Sequence, residues 1–298
     1  MTLQGYGYAV TDYGSAWELD RKLSELVEVG FTHAEIRPEG WQVWRDERID
    51  NRTLARLSAV LDKHRSQLDY VMQLPMAVNL FDLTQPQKHR QLLQQGVTVA
   101  AHIGAKMLLY QPGYRTDLTK TDFIAMSHLM DKERAVLSSL ADEVAVWDAQ
   151  IVIQTPNYLA GNCATYAVWP DLLAQQVQQI DHPHLGLCLD FNQVYLMADW
   201  VGFNYVEAIQ RLLPVAQHFH VQDVEGVLAE LASVDVALME SVTYLPSGWH
   251  QQPFPVTWNQ IPHLSTTLTL LEQEAFLPDP KLAMNSDHLG LPQTAVTA

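Results

Sequence analysis

LDYVMQLPMAVNLFDLTQPQKHRQLLQQGVTVAAHIGAKMLLYQPG, residues 68–113, spells out one complete strand–helix–strand unit. LDYVMQLP (68–75) reads as a strand and AKMLLYQPG (105–113) as a short buried strand that ends in a turn. Between them QPQKHRQLLQQGVTVAAHIG (85–104) has a helical pattern, closed by Gly104, since glycine accepts the left-handed backbone of a helix end. Two apolar strands joined through a helix predict parallel pairing with a right-handed crossover.

The same unit repeats in both directions. Upstream, QGYGYAV (4–10) reads as a first strand, and Ser15 with Glu18 forms a capping box for a helix over 16–29. Leu19, Leu23, Leu26 and Val27 make the apolar face of that helix, and Gly30 stops it. FTHAEIRP (31–38) follows as a strand, then a helix over 51–67 with Leu54, Leu57, Val60 and Leu61 on one side. Downstream the reading is a helix over about 131–147, a strand AQIVIQTP (149–156), a helix over 169–180 and a strand LGLCLD (185–190). A helix over 203–214 and a strand AQHFHVQD (216–223) come next, then an insertion-like stretch to about 257. The remaining elements are a helix over 261–275 and a last strand PKLAMNSD (280–287). Eight such units predict an α/β fold, a single (β/α)8 TIM barrel spanning residues 1–298 as one domain. A doubly wound open sheet is the rival, but no G-x-G-x-x-G follows the first strand.

Composition narrows the function classes. The chain has 298 residues, 18 basic and 34 acidic, a net charge of −16, with 48% hydrophobic and 17% charged residues. That apolar content excludes wholesale disorder, and a core of this size holds without disulfide or metal. Nucleic-acid binding draws on Lys and Arg set against phosphates, and here acidic residues outnumber basic ones almost two to one. No nucleic-acid partner is expected. No stretch reaches the roughly 18 uncharged apolar residues of a membrane span, and MTLQGYGYAV at the N-terminus lacks the pattern of a signal peptide. The expectation is a soluble, cytoplasmic protein with no membrane contact. Cys163 and Cys188 are not spaced as a metal knuckle or redox pair, and Cys188 within LGLCLD reads as a buried, inert thiol.

In a barrel, function sits at the C-terminal ends of the strands. Those ends carry Glu35 and Arg37, then Gln73, Gln111, Gln154 with Asn157, and Asp190 with Gln193. The seventh strand gives His218, His220 and Asp223, and the eighth, on this reading, Asn285, Asp287 and His288. The rim is polar, but amides dominate it. His218 and His220 alternate with Phe219, so both point to one side, the barrel interior. His64, His89 and His128 lie in helical patterns and read as solvated surface.

QLPMAVNLFD (73–82), GAKMLLYQPG (104–113), IVIQTPN (151–157), LGLCLDFNQ (185–193) and HFHVQD (218–223) resemble the xylose isomerase-like barrel superfamily, in the family order. That superfamily includes sugar and sugar-phosphate isomerases and epimerases, myo-inositol catabolic enzymes and endonuclease IV-type apurinic-site nucleases. The resemblance runs from the third strand through the eighth. It implies a metal site at Gln154, Asp190, His220 and Asn285, of which only Asp190 and His220 are usual ligand types. Gln154 and Asn285 stand where the family has Glu, with Asp287 or His288 as stand-ins on the eighth strand. The nuclease's His positions are Gln73, Gln111 and Gln193, which argues against endonuclease activity.

Amide oxygens can ligate a metal, but they are neutral and take up no proton near neutral pH. The resemblance therefore implies a sugar or sugar-phosphate isomerase or epimerase with a carboxylate-depleted site, served by Mn²⁺, Mg²⁺ or Zn²⁺ held weakly. The other reading is a non-catalytic barrel that binds a polyol or sugar-like molecule among Gln73, Gln111, Gln193, His218 and Asp287. Trp249 heads an aromatic loop (244–258, with His250, Phe254 and Trp258) suited to stacking on a sugar ring, or else to a lid or oligomer contact. Trp41 and Trp44 either close over the pocket or face a neighbouring subunit. Arg37 is the rim cation that would hold a ligand's anionic group, while Arg115 reads as a surface ion pair. A homodimer accords with the proteins it resembles. No catalytic residue is assigned.

Overall fold

The structure is a computed structural model that describes residues 5–10, 14–117, 123–156, 164–221 and 267–270. Eight parallel strands lie side by side in chain order and close on themselves. They are β1 (Gly5–Val10), β2 (His33–Ile36), β3 (Asp69–Gln73), β4 (Ala105–Tyr110), β5 (Gln150–Gln154), β6 (Leu185–Asp190), β7 (Ala216–Val221) and β8 (Thr267–Leu270). β8 closes the barrel between β7 and β1, with Thr269 in register with His220 and Gly7. The outer helices are α1 (Ala16–Val29), α2 (Asn51–Leu61), α3 (Pro86–Ile103), α4 (Phe123–Ala145), α5 (Pro170–Ile180), α6 (Phe191–Val201) and α7 (Tyr205–Leu212).

Period-two alternation divides each strand between two environments. Tyr70, Met72, Leu108, Tyr110, Ile151, Ile153, Leu187, Leu189 and Phe219 join the large core beneath the helices. Val71, Met107, Leu109, Val152 and Cys188, one residue out of phase, form a separate cluster that fills the barrel's interior. Continuing that phase toward the C-terminal rim puts Gln73, Gln154, Asp190 and His220 on the inside.

Helix boundaries follow local chemistry. Ser15 caps α1 by accepting from the Glu18 N–H at 3.2 Å, and the Glu18 carboxylate reaches back to Gly14 N. Gly30 and Gly104 end α1 and α3 in the left-handed conformation, with φ of 93° and 70°. Two elements depart from the sequence reading. The helix expected over 261–275 contains strand β8, because STTLTL is β-branched with Leu268 and Leu270 in strict alternation. The strand expected over 280–287 lies outside the described residues. Helix α6 was not anticipated. β6 passes into it without a loop, and Asp190 itself serves as its N-cap.

Side-chain surroundings also correct several expectations. His64 and His89 are buried rather than solvated, and their imidazoles meet Asp20 at 2.8 Å and Asp82 at 3.1 Å. Trp41 and Trp44 are partly buried against the core, with the Arg56 guanidinium 5.9 Å above the Trp41 ring. Trp44 starts a two-stranded hairpin, Trp44–Arg45 with Arg48–Ile49, turned by Asp46 and Glu47 at positive φ. Arg115 is ion-paired with Asp117, as the sequence suggested.

The loops that carry rim residues are tied down by buried polar groups. Glu133 of α4, fully buried, accepts from the Tyr110 hydroxyl at 2.8 Å, Gly113 N at 2.8 Å and Gln176 Nε2 at 3.1 Å, which fixes the turn holding Gln111. Asn79 bridges the loops after β3 and β4. Its amide donates to Tyr114 O at 2.9 Å, and its oxygen accepts from Tyr114 N at 3.0 Å and Phe81 N at 3.1 Å. Asn79→Ala is expected to lower the unfolding free energy by about 2 kcal/mol, as two backbone donors and one acceptor lose a partner. Urea denaturation would check it, and a change below about 0.5 kcal/mol would contradict the bridging role.

Candidate functional site

A chain of polar side chains crosses the C-terminal end of the barrel interior. Gln111, following β4, donates through Nε2 to Gln154 Oε1 at 2.5 Å. Gln154 Nε2 lies 3.2 Å from His220 Nδ1, and His220 Nε2 lies 2.8 Å from Glu35 Oε2 on β2. Asp190 Oδ2 sits 3.7 Å from the same Nδ1. Glu35, Gln154, Asp190, His218 and His220 are all essentially inaccessible to solvent.

The two oxygens of Asp190 have different duties. One accepts from the Gln193 N–H at 2.9 Å and caps α6, while the backbone N–H of Asp190 donates to the Thr155 hydroxyl at 2.9 Å. The other, Oδ2, is buried with no hydrogen-bond donor. Leaving a buried carboxylate oxygen unpaired is costly, and a cation between it and His220 Nδ1 would remove that cost. Asp190 and His220 therefore fit a divalent ion, with the Gln154 amide oxygen as a neutral third ligand if that amide turns end for end. Glu35 suits the arrangement, since a carboxylate on the far nitrogen fixes a ligand histidine's tautomer and ring orientation.

Charge and burial oppose one another in this cluster. Burial pushes the Glu35 carboxyl up, but the facing His220 and then Arg37, whose Nε is 3.9 Å from Glu35 Oε1, bring it below the usual carboxylate range. Burial alone would lower His220, yet Cys188, Glu35 and Asp190 together hold it well above the ordinary imidazole value.

Cys188 lies on the same inward face, opposite His218 in register. Burial raises its thiol to about 11, so it resists alkylation. Iodoacetamide at mildly alkaline pH is expected to label Cys188 far more slowly in the native protein than in urea, as read by peptide mass spectrometry. Equal rates would contradict the burial.

The structure brings Gln111, Gln154, Asp190 and His220 together, with His218 next to His220 at a ring-centroid distance of 5.1 Å. Gln73 is buried at the end of β3 and donates to Leu109 O at 3.4 Å, outside the polar chain. Arg37 contacts Glu35, and Gln193 stands half-buried in the first turn of α6. Asn285, Asp287 and Trp249 lie outside the described residues, as do Asn157, Asp223, His250, Phe254, Trp258 and His288. With β8 at 267–270, Asn285 falls 15 positions beyond that strand rather than at its end. Two participants escaped the sequence reading. Glu35 was visible as a rim carboxylate but not as the partner of a histidine 185 positions away. Cys188 within LGLCLD reads as plain core, although its two-residue spacing from Asp190 gives both the same face.

Comparison with known proteins bears on this geometry. Among solved structures, D-allulose 3-epimerase from Methylomonas sp. in complex with D-allulose aligns with a TM-score of 0.62 at 14% identity, over 97% of this chain and 94% of its own. L-ribulose 3-epimerase aligns at 0.60 with 11% identity, covering 95% and 85%. D-psicose 3-epimerase in the presence of D-fructose gives 0.59 at 12%, covering 98% and 93%. At these identities the likeness establishes the fold. Curated protein sequences give no match. The family profile described as xylose isomerase-like TIM barrel matches residues 23–248, most of the chain. Closed barrel, inward polar rim and profile agree, and this chain belongs to the xylose isomerase-like TIM barrel family.

Proposed function

We propose that this protein, read as one domain over residues 1–298, binds an unmodified or phosphorylated sugar at the C-terminal mouth of its barrel. It acts there as an isomerase or epimerase with a carboxylate-depleted site. The observation that carries the reading is the unpaired, buried Asp190 Oδ2 facing His220 Nδ1 across 3.7 Å. A divalent ion bound there would polarise the sugar's carbonyl or adjacent hydroxyl. Asp190 and His220 would hold the ion, and Glu35 keeps the His220 ring oriented. Gln111 and Gln154 offer both donors and acceptors, the recognition chemistry of neutral hydroxyls.

Gln154 takes up no proton, so two-base epimerisation using a carboxylate at that position is unavailable. The base must then be another residue, and the first carboxylate after β8 in the sequence is Glu272. One observation favours a second reading, a non-catalytic polyol-binding barrel: the Gln111–Gln154 amide pair stands beside the ion's place with no charge of its own.

Incubating the Mn²⁺-loaded protein with ketopentoses and ketohexoses in D₂O separates the two. Deuterium entering the carbon next to the carbonyl, lost in Glu272→Gln and Asp190→Asn, is the expected result. Sugar binding by calorimetry without any deuterium uptake would replace it with the second reading. No sugar binding would overturn both.

A further inference from the structure

Beside Asp190, Cys188, His218 and His220 are brought together with their ligand atoms all within 4.8 Å of one another. All three are completely buried. They arise from adjacent strands, with Cys188 of β6 directly opposite His218 of β7 in register and His220 one inward position further along. Glu35 flanks the cluster from β2, with one oxygen 2.8 Å from His220 Nε2 and the other 3.9 Å from Arg37 Nε.

A thiolate and two imidazoles form a ligand set of different character from Asp190 and an amide. Sulfur and imidazole donors select zinc-like ions, whereas oxygen donors suit Mg²⁺ and Mn²⁺. We propose that Cys188, His218 and His220 form a second divalent-metal site for a zinc-class ion, overlapping the Asp190 site at His220. On binding, the sulfur–metal bond forms as the Cys188 proton leaves to solvent, with no change of oxidation state. Because His220 serves both sites, a zinc-class ion in the inner site displaces Mn²⁺ from the outer one. The inference concerns metal choice and stands whether or not a sugar is turned over.

Co²⁺ titration of the chelator-stripped, full-length protein reads this directly, because thiolate ligation gives a near-ultraviolet charge-transfer band that oxygen and nitrogen ligands do not. One equivalent of Co²⁺ is expected to produce the band, and Zn²⁺ to abolish it. Cys188→Ser and Cys188→Ala should lose it, while Asp190→Asn and Cys163→Ser retain it. Cys163→Ser keeps the assignment testable if the position-188 variants fail to fold, since the chain has only two cysteines. Saturation with no thiolate band, no Co²⁺ binding, or a band lost in Cys163→Ser would overturn the proposal. Mn²⁺ calorimetry on the same variants distinguishes its failure from that of the Asp190 site.

Discussion

Glu35→Ala is expected to destabilise the protein by about 3–5 kcal/mol, because it strips a completely buried histidine of its carboxylate partner. His220 has no solvent to fall back on, and the cavity left by Glu35 adds to the loss. The pH dependence follows from opposite shifts. Glu35 is held below its ordinary value, so its contribution is present above that value and lost as pH falls through the folded one. His220 is held above its ordinary value, so its contribution is complete below that value and lost as pH rises through the folded one. The gap between wild type and Glu35→Ala should be widest between the ordinary values, roughly pH 4.3 to 6.5, and should narrow on either side. Urea melts across that range provide the measurement. A gap that is flat with pH would contradict the charged pair, and Glu35→Gln, which keeps a neutral acceptor, should lie between the two proteins.

Glu133→Ala is expected to cost a similar amount, about 3–5 kcal/mol, for a different reason. Its carboxylate gathers the Tyr110 hydroxyl, the Gly113 N–H and the Gln176 amide, all buried, and each would lose its acceptor at once. Burial is the largest influence on this carboxyl and holds it above the ordinary carboxylate value despite those donors. The folded state thus favours the protonated form, and the stability this group lends falls as pH rises above the ordinary value. Comparison with Glu133→Gln isolates that effect: the wild type's advantage should shrink with rising pH. A constant or growing advantage would contradict the direction of the shift. Because this network holds the turn after β4, Glu133→Ala should also disorder the Gln111–Gln154 contact.

The barrel was readable because its strands and helices differ in period, and because Gly30, Gly104 and the Ser15 cap mark where helices start and stop. β8 was missed because Leu264, Leu268 and Leu271 also satisfy a helical spacing, and closure of the barrel between β7 and β1 is what selects the strand. Helix α6 is hidden in the sequence because DFNQ reads as rim, whereas Asp190 both ends β6 and caps the helix. In the site, alternation along a single strand places His218 and His220 inward. It did not join His220 to Glu35, since β2 and β7 have no local relation and meet only across the barrel. Burial of His64 and His89 depended likewise on distant or loop carboxylates, Asp20 and Asp82.

Titration of the chelator-stripped protein with Mn²⁺, beside Asp190→Asn, tests the central claim most directly. Asparagine retains an oxygen to cap α6 and removes the charge at the unpaired position. Saturable one-to-one binding, weakened at least about tenfold in the variant, is the expected result. Absence of binding up to millimolar Mn²⁺, or equal affinity in the two proteins, would contradict a cation site at Asp190 and His220.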